Sequence, residues 1–341
     1  MSNEPPQVRL ATRRNGTRDG ELMLVSPDLT RWIAVPTIAQ TLQHALDDWA
    51  RTSPQLDARY RELTATQWRD AEPYEAASAL APLPRAYQWA DASVYRNHAR
   101  LIYQWRREPI PPRYEDEPLV YQGGSDVMLP PTAPIEARDE AHDIDFEAEV
   151  AVITTDVPMG VTVEAARDCI ALVVLLNDVS LRGLIPSELS RGFGFYQSKP
   201  ASSFAPVAVT RGVLGNAWKG EMLHLPVHVT LNGNRFGCPN AGEDTVFHFG
   251  EVIAHLATTR SLSAGTIVGA GTVSNADPET GSACITEARV RQILDGQPES
   301  DLQPYLRDGD RVTIEVLDGA GTSVFGRIEQ SVCVRKDLDA R

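Results

Sequence analysis

The alternation of apolar and polar positions divides the chain into segments. Val8 to Arg13 and Glu21 to Val35 read as strands, and the intervening RNGTRDG supplies the Asn and Gly of a turn. In TIAQTLQHALDDWARTSPQLDARYREL, Leu42, Leu46 and Trp49 recur at helical spacing above a charged face, which predicts a helical segment interrupted near Pro54. The Pro/Ala-rich SALAPLPRAYQWADAS follows, where Pro82 and Pro84 lack amide donors and fix φ. A domain boundary is placed within residues 75–90.

Beyond the boundary the signals are mostly those of strands. DIDFEAEVAVITTDV, CIALVVLLNDVSL, SFAPVAVTRG, LHLPVHVTLNGNRFG, GTIVGAGTVSN and RVTIEVLDGAGTSVFGRIEQSV show period-two or continuous β-branched runs, with LNGN and LDGAGT as hairpin turns. Helices are expected only at TVEAARDCI and TVFHFGEVIAHLATT. No fixed-period repeat and no regular alternation of helix with strand is present, so a largely antiparallel or mixed β core is preferred to a doubly wound parallel sheet.

Composition and charge then narrow the partners. Among 341 residues, 32 Lys and Arg face 46 Asp and Glu, a net charge of −14 that repels phosphate backbones and anionic lipid heads. Nucleic acid and membrane are therefore set aside as partners. The longest apolar run, Cys169 to Leu176, is far short of the roughly 20 residues of a spanning helix and suits a buried strand. The N-terminus has no apolar stretch of the secretory kind, and Cys169, Cys238, Cys284 and Cys333 are widely spaced; a cytoplasmic protein with free thiols is expected.

Candidate chemistry lies in four stretches. In DIDFEAEV, strand alternation puts Asp145, Glu147 and Glu149 on one face. The plain reading is a solvated outer face, but no Lys or Arg interleaves, and mutually repelling carboxylates suit a hard divalent cation. Asp178 stands at the end of an expected buried strand, with Arg182 four residues later; an isolated Asp there also suits a simple turn cap. Asp91 precedes His98 by seven residues, two turns if both lie on one helix. Lys199 occupies a Ser/Pro/Ala loop with Ser203 four residues on, and a Gly/Ser/Asn-rich loop runs from Gly269 to Glu287. His224, His228, His248 and His255 read as structural, so zinc held by N and S ligands is not expected.

The order and spacing of these pieces together resemble the fumarylacetoacetate hydrolase family. The elements are Asp91 and His98, Glu147-Ala-Glu149, Asp178-Val-Ser180-Leu-Arg182, Lys199 and Gly271-Thr272-Val273-Ser274, with Tyr121 to Asp126 as a further landmark, over roughly residues 79–335. The resemblance implies a mostly β, α+β fold: a mixed β-roll catalytic domain over 79–341 and a small N-terminal α/β region of strands plus helix over 1–78. It implies a homodimer and a divalent metal, Mg²⁺ or Ca²⁺ with Mn²⁺ also admitted, held by Asp91, Glu147, Glu149 and Asp178. It further implies His98 as the base that activates water with Glu287 as its acid partner. Lys199 and Arg182 would serve as oxyanion or carboxylate partners, and Tyr121, Ser203 and Thr272 would line the substrate site.

The activity so implied is hydrolysis of a C–C bond in a β-diketo acid of fumarylacetoacetate or acylpyruvate type, through an enolate. Where the family hydrolases usually carry Gln, seven residues after Asp178, this chain has Ile185. The alternatives are a keto-acid isomerase or decarboxylase on the same scaffold and, from another class, a non-catalytic ligand-binding protein.

Overall fold

A computed structural model describes residues 6–335. The first five residues, part of the stretch read as lacking an export signal, and residues 336–341 at the end of the expected catalytic domain lie outside the described residues. Strand exceeds helix, as the sequence implied, and the strands form two main sheets. Among the described residues the larger has 11 strands, and from its middle to one edge it runs Val207–Val209, Ile170–Asn177, Ala148–Thr154, Ile267–Thr272, Trp89–Ala92 and Val120–Gly123. The smaller has five strands built on Val227–Leu231, Arg311–Val316 and Ile328–Val334. Pairing is antiparallel except between Ile267–Thr272 and Trp89–Ala92 and between Ile328–Val334 and Ile135–Ala137.

The run CIALVVLLN becomes the strand Ile170–Asn177, buried at every position. Its two faces enter different cores, which explains why the run is continuous rather than alternating. Val173 and Leu175 pack with Val150, Val152, Val227, Val229 and Ile314 toward the smaller sheet. Leu172, Val174 and Leu176 pack with Leu42, Leu46, Leu56 and Leu63 of the N-terminal helices. The N-terminal strands are not a separate sheet: Arg9–Arg13 pairs with Val207–Val209 and extends the large sheet.

Several local expectations change. The helix Trp49–Ala65 runs through Pro54, and the interruption falls earlier, at Asp47 and Asp48. A proline inside a helix costs about 3 kcal/mol, a loss offset here by burial of Leu56, Tyr60 and Leu63 on the helix face that meets the core. Beyond the boundary the helices Arg96–Arg106 and Ile285–Leu294 join the two that were expected. The second starts without a local Asp, Ser or Thr cap. Cys284 is its N-cap, Sγ accepting from the Glu287 amide at 3.4 Å, and Asp145, far away in sequence, accepts from the amides of Ile285 (2.7 Å) and Thr286 (3.0 Å). Among the described residues no helix is long and apolar enough to cross a membrane.

Candidate active site

Three strands of the large sheet carry the central acids, with Ile267–Thr272 lying between those of Glu149 and Asp91. Asp91 lies in Trp89–Ala92, Glu149 in Ala148–Thr154, and Asp178 directly follows Ile170–Asn177. All three are buried, and one oxygen from each lies within 4.8 Å of the others. The solvated outer face that the strand pattern allowed is therefore overturned, since Asp145, Glu147 and Glu149 are all buried. Two glycines make room for the cluster. A Cβ at Gly269 would stand 2.2 Å from Asp91 Oδ1, and Gly271, at φ +84°, donates its amide to that oxygen at 3.0 Å.

Burial, then the negative charge of Asp178, pushes Asp91 well above the usual carboxylate range. Burial followed by the charges of Asp91 and Asp178 does the same to Glu149, whose two oxygens have no hydrogen-bond partner. Asp178 is better supplied: Ser202 Oγ donates at 2.5 Å, Tyr121 Oη at 2.6 Å and Lys199 Nζ at 2.6 Å. A buried group of three carboxylates, one without any protein donor, fits a hard cation that takes oxygen ligands.

Glu147 lies outside the converging three. Its Oε1 meets Lys199 Nζ at 2.9 Å and Arg182 Nη2 at 3.0 Å, and the hydroxyls of Ser180 and Thr272 also donate to it. Burial alone would raise Glu147, but Arg182 and Lys199 outweigh it and hold the carboxyl far below its ordinary range. The two glutamates of Glu147-Ala-Glu149 thus do different work, one facing cations and the other facing acids. Burial opposes the charge on Lys199, yet Asp178, Glu147 and Glu149 raise its value above the usual lysine range. Its Nζ lies 5.2 Å from the centre of the Tyr121 ring, which meets Phe195 edge-on.

The structure relocates other predicted residues. Asp91 and His98 do not share a helix: Asp91 is in a strand and His98 in the helix Arg96–Arg106. The seven-residue spacing instead crosses a strand-to-helix turn. His98 Nδ1 lies 3.2 Å from Glu287 Oε2, with Glu287 in the first turn of Ile285–Leu294. Burial tends to raise Glu287, but the hydrogen bond and charge of His98, with Arg291, keep it below the ordinary value. Asn97 ties this helix to the Gly-Thr-x-Ser loop, donating to Ser274 Oγ at 2.9 Å and to the Asn275 carbonyl at 2.8 Å. Thr272 of the same loop reaches Glu147, so one loop joins the imidazole to the acidic cluster.

Arg182 is engaged within the protein by two buried acids. Its Nε donates to Asp145 Oδ2 at 2.9 Å while Nη2 meets Glu147, so two buried carboxylates occupy it. Ser203 is directed away from the acids, its hydroxyl donating to the Pro130 carbonyl at 2.9 Å. Ser202, which sequence reasoning missed, takes the place beside Asp178. The signal was present in the side-by-side serines, which alternate faces once the strand Ser203–Phe204 pairs with Leu176 and Asn177. The other histidines stand apart from the acids: His248 caps the helix Phe249–Leu256, and His228 meets Cys238 Sγ at 3.2 Å.

Two family models match consecutive parts of the chain. Residues 8–85 match "Fumarylacetoacetase N-terminal domain 2" and residues 88–333 match "Fumarylacetoacetate (FAA) hydrolase C-terminal". Among solved structures, maleylpyruvate hydrolase from Sphingobium sp. SYK-6, in complex with manganese(II) and pyruvate, is similar at 16% identity and a TM-score of 0.63, covering 96% of this chain and 99% of that one. A probable 2-hydroxyhepta-2,4-diene-1,7-dioate isomerase from Mycobacterium abscessus matches at 16% identity and a TM-score of 0.62, over 97% of this chain and 100% of that one. An uncharacterised protein of Pyrococcus abyssi is 24% identical over 187 residues, 55% of this chain and 78% of the relative.

Proposed function

This chain belongs to the fumarylacetoacetate hydrolase family, and on that premise we propose that it is a divalent-metal-dependent hydrolase of a β-diketo acid, of acylpyruvate or fumarylacetoacetate type. The observation that carries the reading is the buried group of Asp91, Glu149 and Asp178 flanked by Lys199 and linked through one loop to the His98–Glu287 pair. Asp91, Glu149 and Asp178 would hold Mg²⁺, Ca²⁺ or Mn²⁺, while Glu147, expected from the sequence as a fourth ligand, is taken up by Arg182 and Lys199. Such a cation supplies Lewis-acid charge for the carbonyl oxygens of a chelating keto acid.

The remaining steps belong to the side chains. With Nδ1–H held by Glu287, His98 offers Nε2 to take a proton from water. The water oxygen bonds to the acyl carbonyl carbon, and the Lys199 ammonium offsets the oxyanion charge that develops there. Collapse breaks the C–C bond, and the proton on His98 passes to the departing enolate carbon. An acylpyruvate would give pyruvate and a carboxylic acid. The Glu147 carboxylate keeps Lys199 in place, and the Tyr121 hydroxyl steadies Asp178.

A second reading, isomerisation or decarboxylation of a keto acid, draws on Ile185, an apolar and buried side chain where family hydrolases carry Gln. A panel of acylpyruvates, fumarylacetoacetate and oxaloacetate, each assayed with Mg²⁺, Mn²⁺ and EDTA, separates the two. Metal-dependent formation of pyruvate plus a second acid supports hydrolysis. Carbon dioxide release or double-bond migration without cleavage overturns it. A homodimer is part of the reading, and light scattering on the eluting protein tests it.

A further inference from the structure

Lys199 stands at the end of a turn that is held from outside the acidic cluster. Glu188, in the short helix Ile185–Leu189, directs its carboxylate back onto the chain. Oε2 accepts from the amides of Tyr196 (3.1 Å) and Ser198 (3.2 Å) and from the Ser198 hydroxyl (2.5 Å), while Oε1 accepts from the Gln197 amide at 2.7 Å. Consecutive N–H groups and one O–H thereby fill an acceptor that has no donor of its own. The Lys199 amide closes the turn on the Tyr196 carbonyl at 3.4 Å, and the Leu181 amide donates to the Ser198 carbonyl at 2.8 Å. From this turn Lys199 Nζ reaches Asp178 and Glu147.

The stretch between helix and turn offers little other support. Gly192 and Gly194 have positive φ with nothing within 4 Å of a built Cβ, and Phe193 is fully exposed. Burial works to raise Glu188, but the Ser198 hydroxyl and the three amides hold it down to about 2, so the anchor stays charged at working pH.

We propose that Glu188 is a positioning residue that latches the turn at residues 196–198 and so sets the Lys199 ammonium between Glu147 and Asp178. The inference rests on the role given to Lys199 in the proposed hydrolysis. It concerns geometry upstream of the reacting atoms, since Glu188 acts through Lys199.

The test uses the full chain as Glu188→Ala, Glu188→Gln, Lys199→Ala and the double variant Glu188→Ala/Lys199→Ala. Two quantities are read: kcat and KM on the best keto-acid substrate, and Mn²⁺ affinity by titration calorimetry. Glu188→Ala should lower kcat by up to about 10²-fold, the scale of a misplaced catalytic group, with a smaller change in KM. The double variant should be no slower than Lys199→Ala alone. Mn²⁺ should bind severalfold tighter to both single alanine variants, because an ammonium that competes for the carboxylates has left. Glu188→Gln, which keeps one acceptor oxygen, should recover only part of the rate, with an Mn²⁺ affinity between wild type and Glu188→Ala.

Additive losses in the double variant, or wild-type Mn²⁺ affinity in Glu188→Ala, would overturn the proposal. Where Glu188→Ala does not fold, Glu188→Gln replaces it: Mn²⁺ affinity between wild type and Lys199→Ala supports the latch, and wild-type affinity overturns it. A wild-type protein without keto-acid turnover defeats the hydrolase reading instead, and the Mn²⁺ comparison still decides the role of Glu188.

Discussion

His98 Nδ1 sits 3.2 Å from Glu287 Oε2, across a sequence gap of 189 residues. The contact fixes which ring nitrogen is left to face water. His98→Ala should lower kcat on an acylpyruvate by about 10²–10⁴-fold. Its circular dichroism spectrum should stay that of wild type, with a modestly lower melting temperature, because the buried Glu287 carboxylate loses one partner and keeps Arg291. Full turnover in the variant would remove His98 from the mechanism.

The same pair gives a pH dependence with a definite sign. Glu287 is held below its ordinary value of 4.5 despite its burial. A carboxyl lowered in the folded state contributes stability in full above its unfolded value, and the contribution is lost as pH falls through the folded value. Urea unfolding from pH 6 downward should show wild type losing stability below about pH 4.5 more steeply than Glu287→Gln. Parallel curves would show that Glu287 has no part in the acid transition.

Asp91 and Glu149 present the opposite case, acids that burial and mutual repulsion push up. Glu149→Gln should therefore stabilise the metal-free protein while weakening its binding of Mn²⁺. Saturating the wild type at a hundred times the dissociation constant should add about 2.7 kcal/mol, seen as a rise in melting temperature that EDTA reverses. Equal Mn²⁺ shifts in wild type and variant would contradict a cation held at Glu149.

Arg182 bridges Asp145 and Glu147, both buried. Arg182→Met would leave buried Asp145 without its cation, leave Glu147 with Lys199 alone, and loosen the acid that accepts from the first amides of Ile285–Leu294. A loss of about 3–5 kcal/mol is expected in denaturant titration. A stable variant with only a raised KM would instead restore the substrate-gripping role inferred from sequence.

Gly269 is needed for space. An added methyl there would strike Asp91 Oδ1 and the Trp89 ring. Gly269→Ala should weaken Mn²⁺ binding about tenfold or more by displacing Asp91, an effect on the scale of a lost supporting contact at a metal site. Calorimetric titration reads it directly, and unchanged affinity would mean the strand yields.

The fold class and most strands were legible because burial on both faces leaves a continuous apolar run such as Ile170–Asn177. The helix at Glu287 was not, because its local cap is a cysteine, Cys284, and its first two amides are satisfied by Asp145 from a remote strand. Likewise Asp91 and His98 show a helix-like spacing but are placed by a strand and a separate helix. The convergence of Asp91, Glu149 and Asp178 could be read from the chain, while the division of labour between Glu147 and Glu149 could not. It depends on Lys199 and Arg182 arriving from other loops.

The pairing of Arg9–Arg13 with Val207–Val209 has a consequence for synthesis. The Val8 amide bonds to Thr210 across 202 residues, so at about 5–20 residues per second the ribosome needs roughly 10–40 s to supply that partner. During the wait the first hairpin has an unpaired edge, with Leu10, Leu22 and Leu24 lacking their later neighbours. The acids then wait further, until Gly271 and the helix of Glu287 have left the exit tunnel. Newly made chains should thus depend on holding chaperones at their beginning, and competence at the site should arrive last.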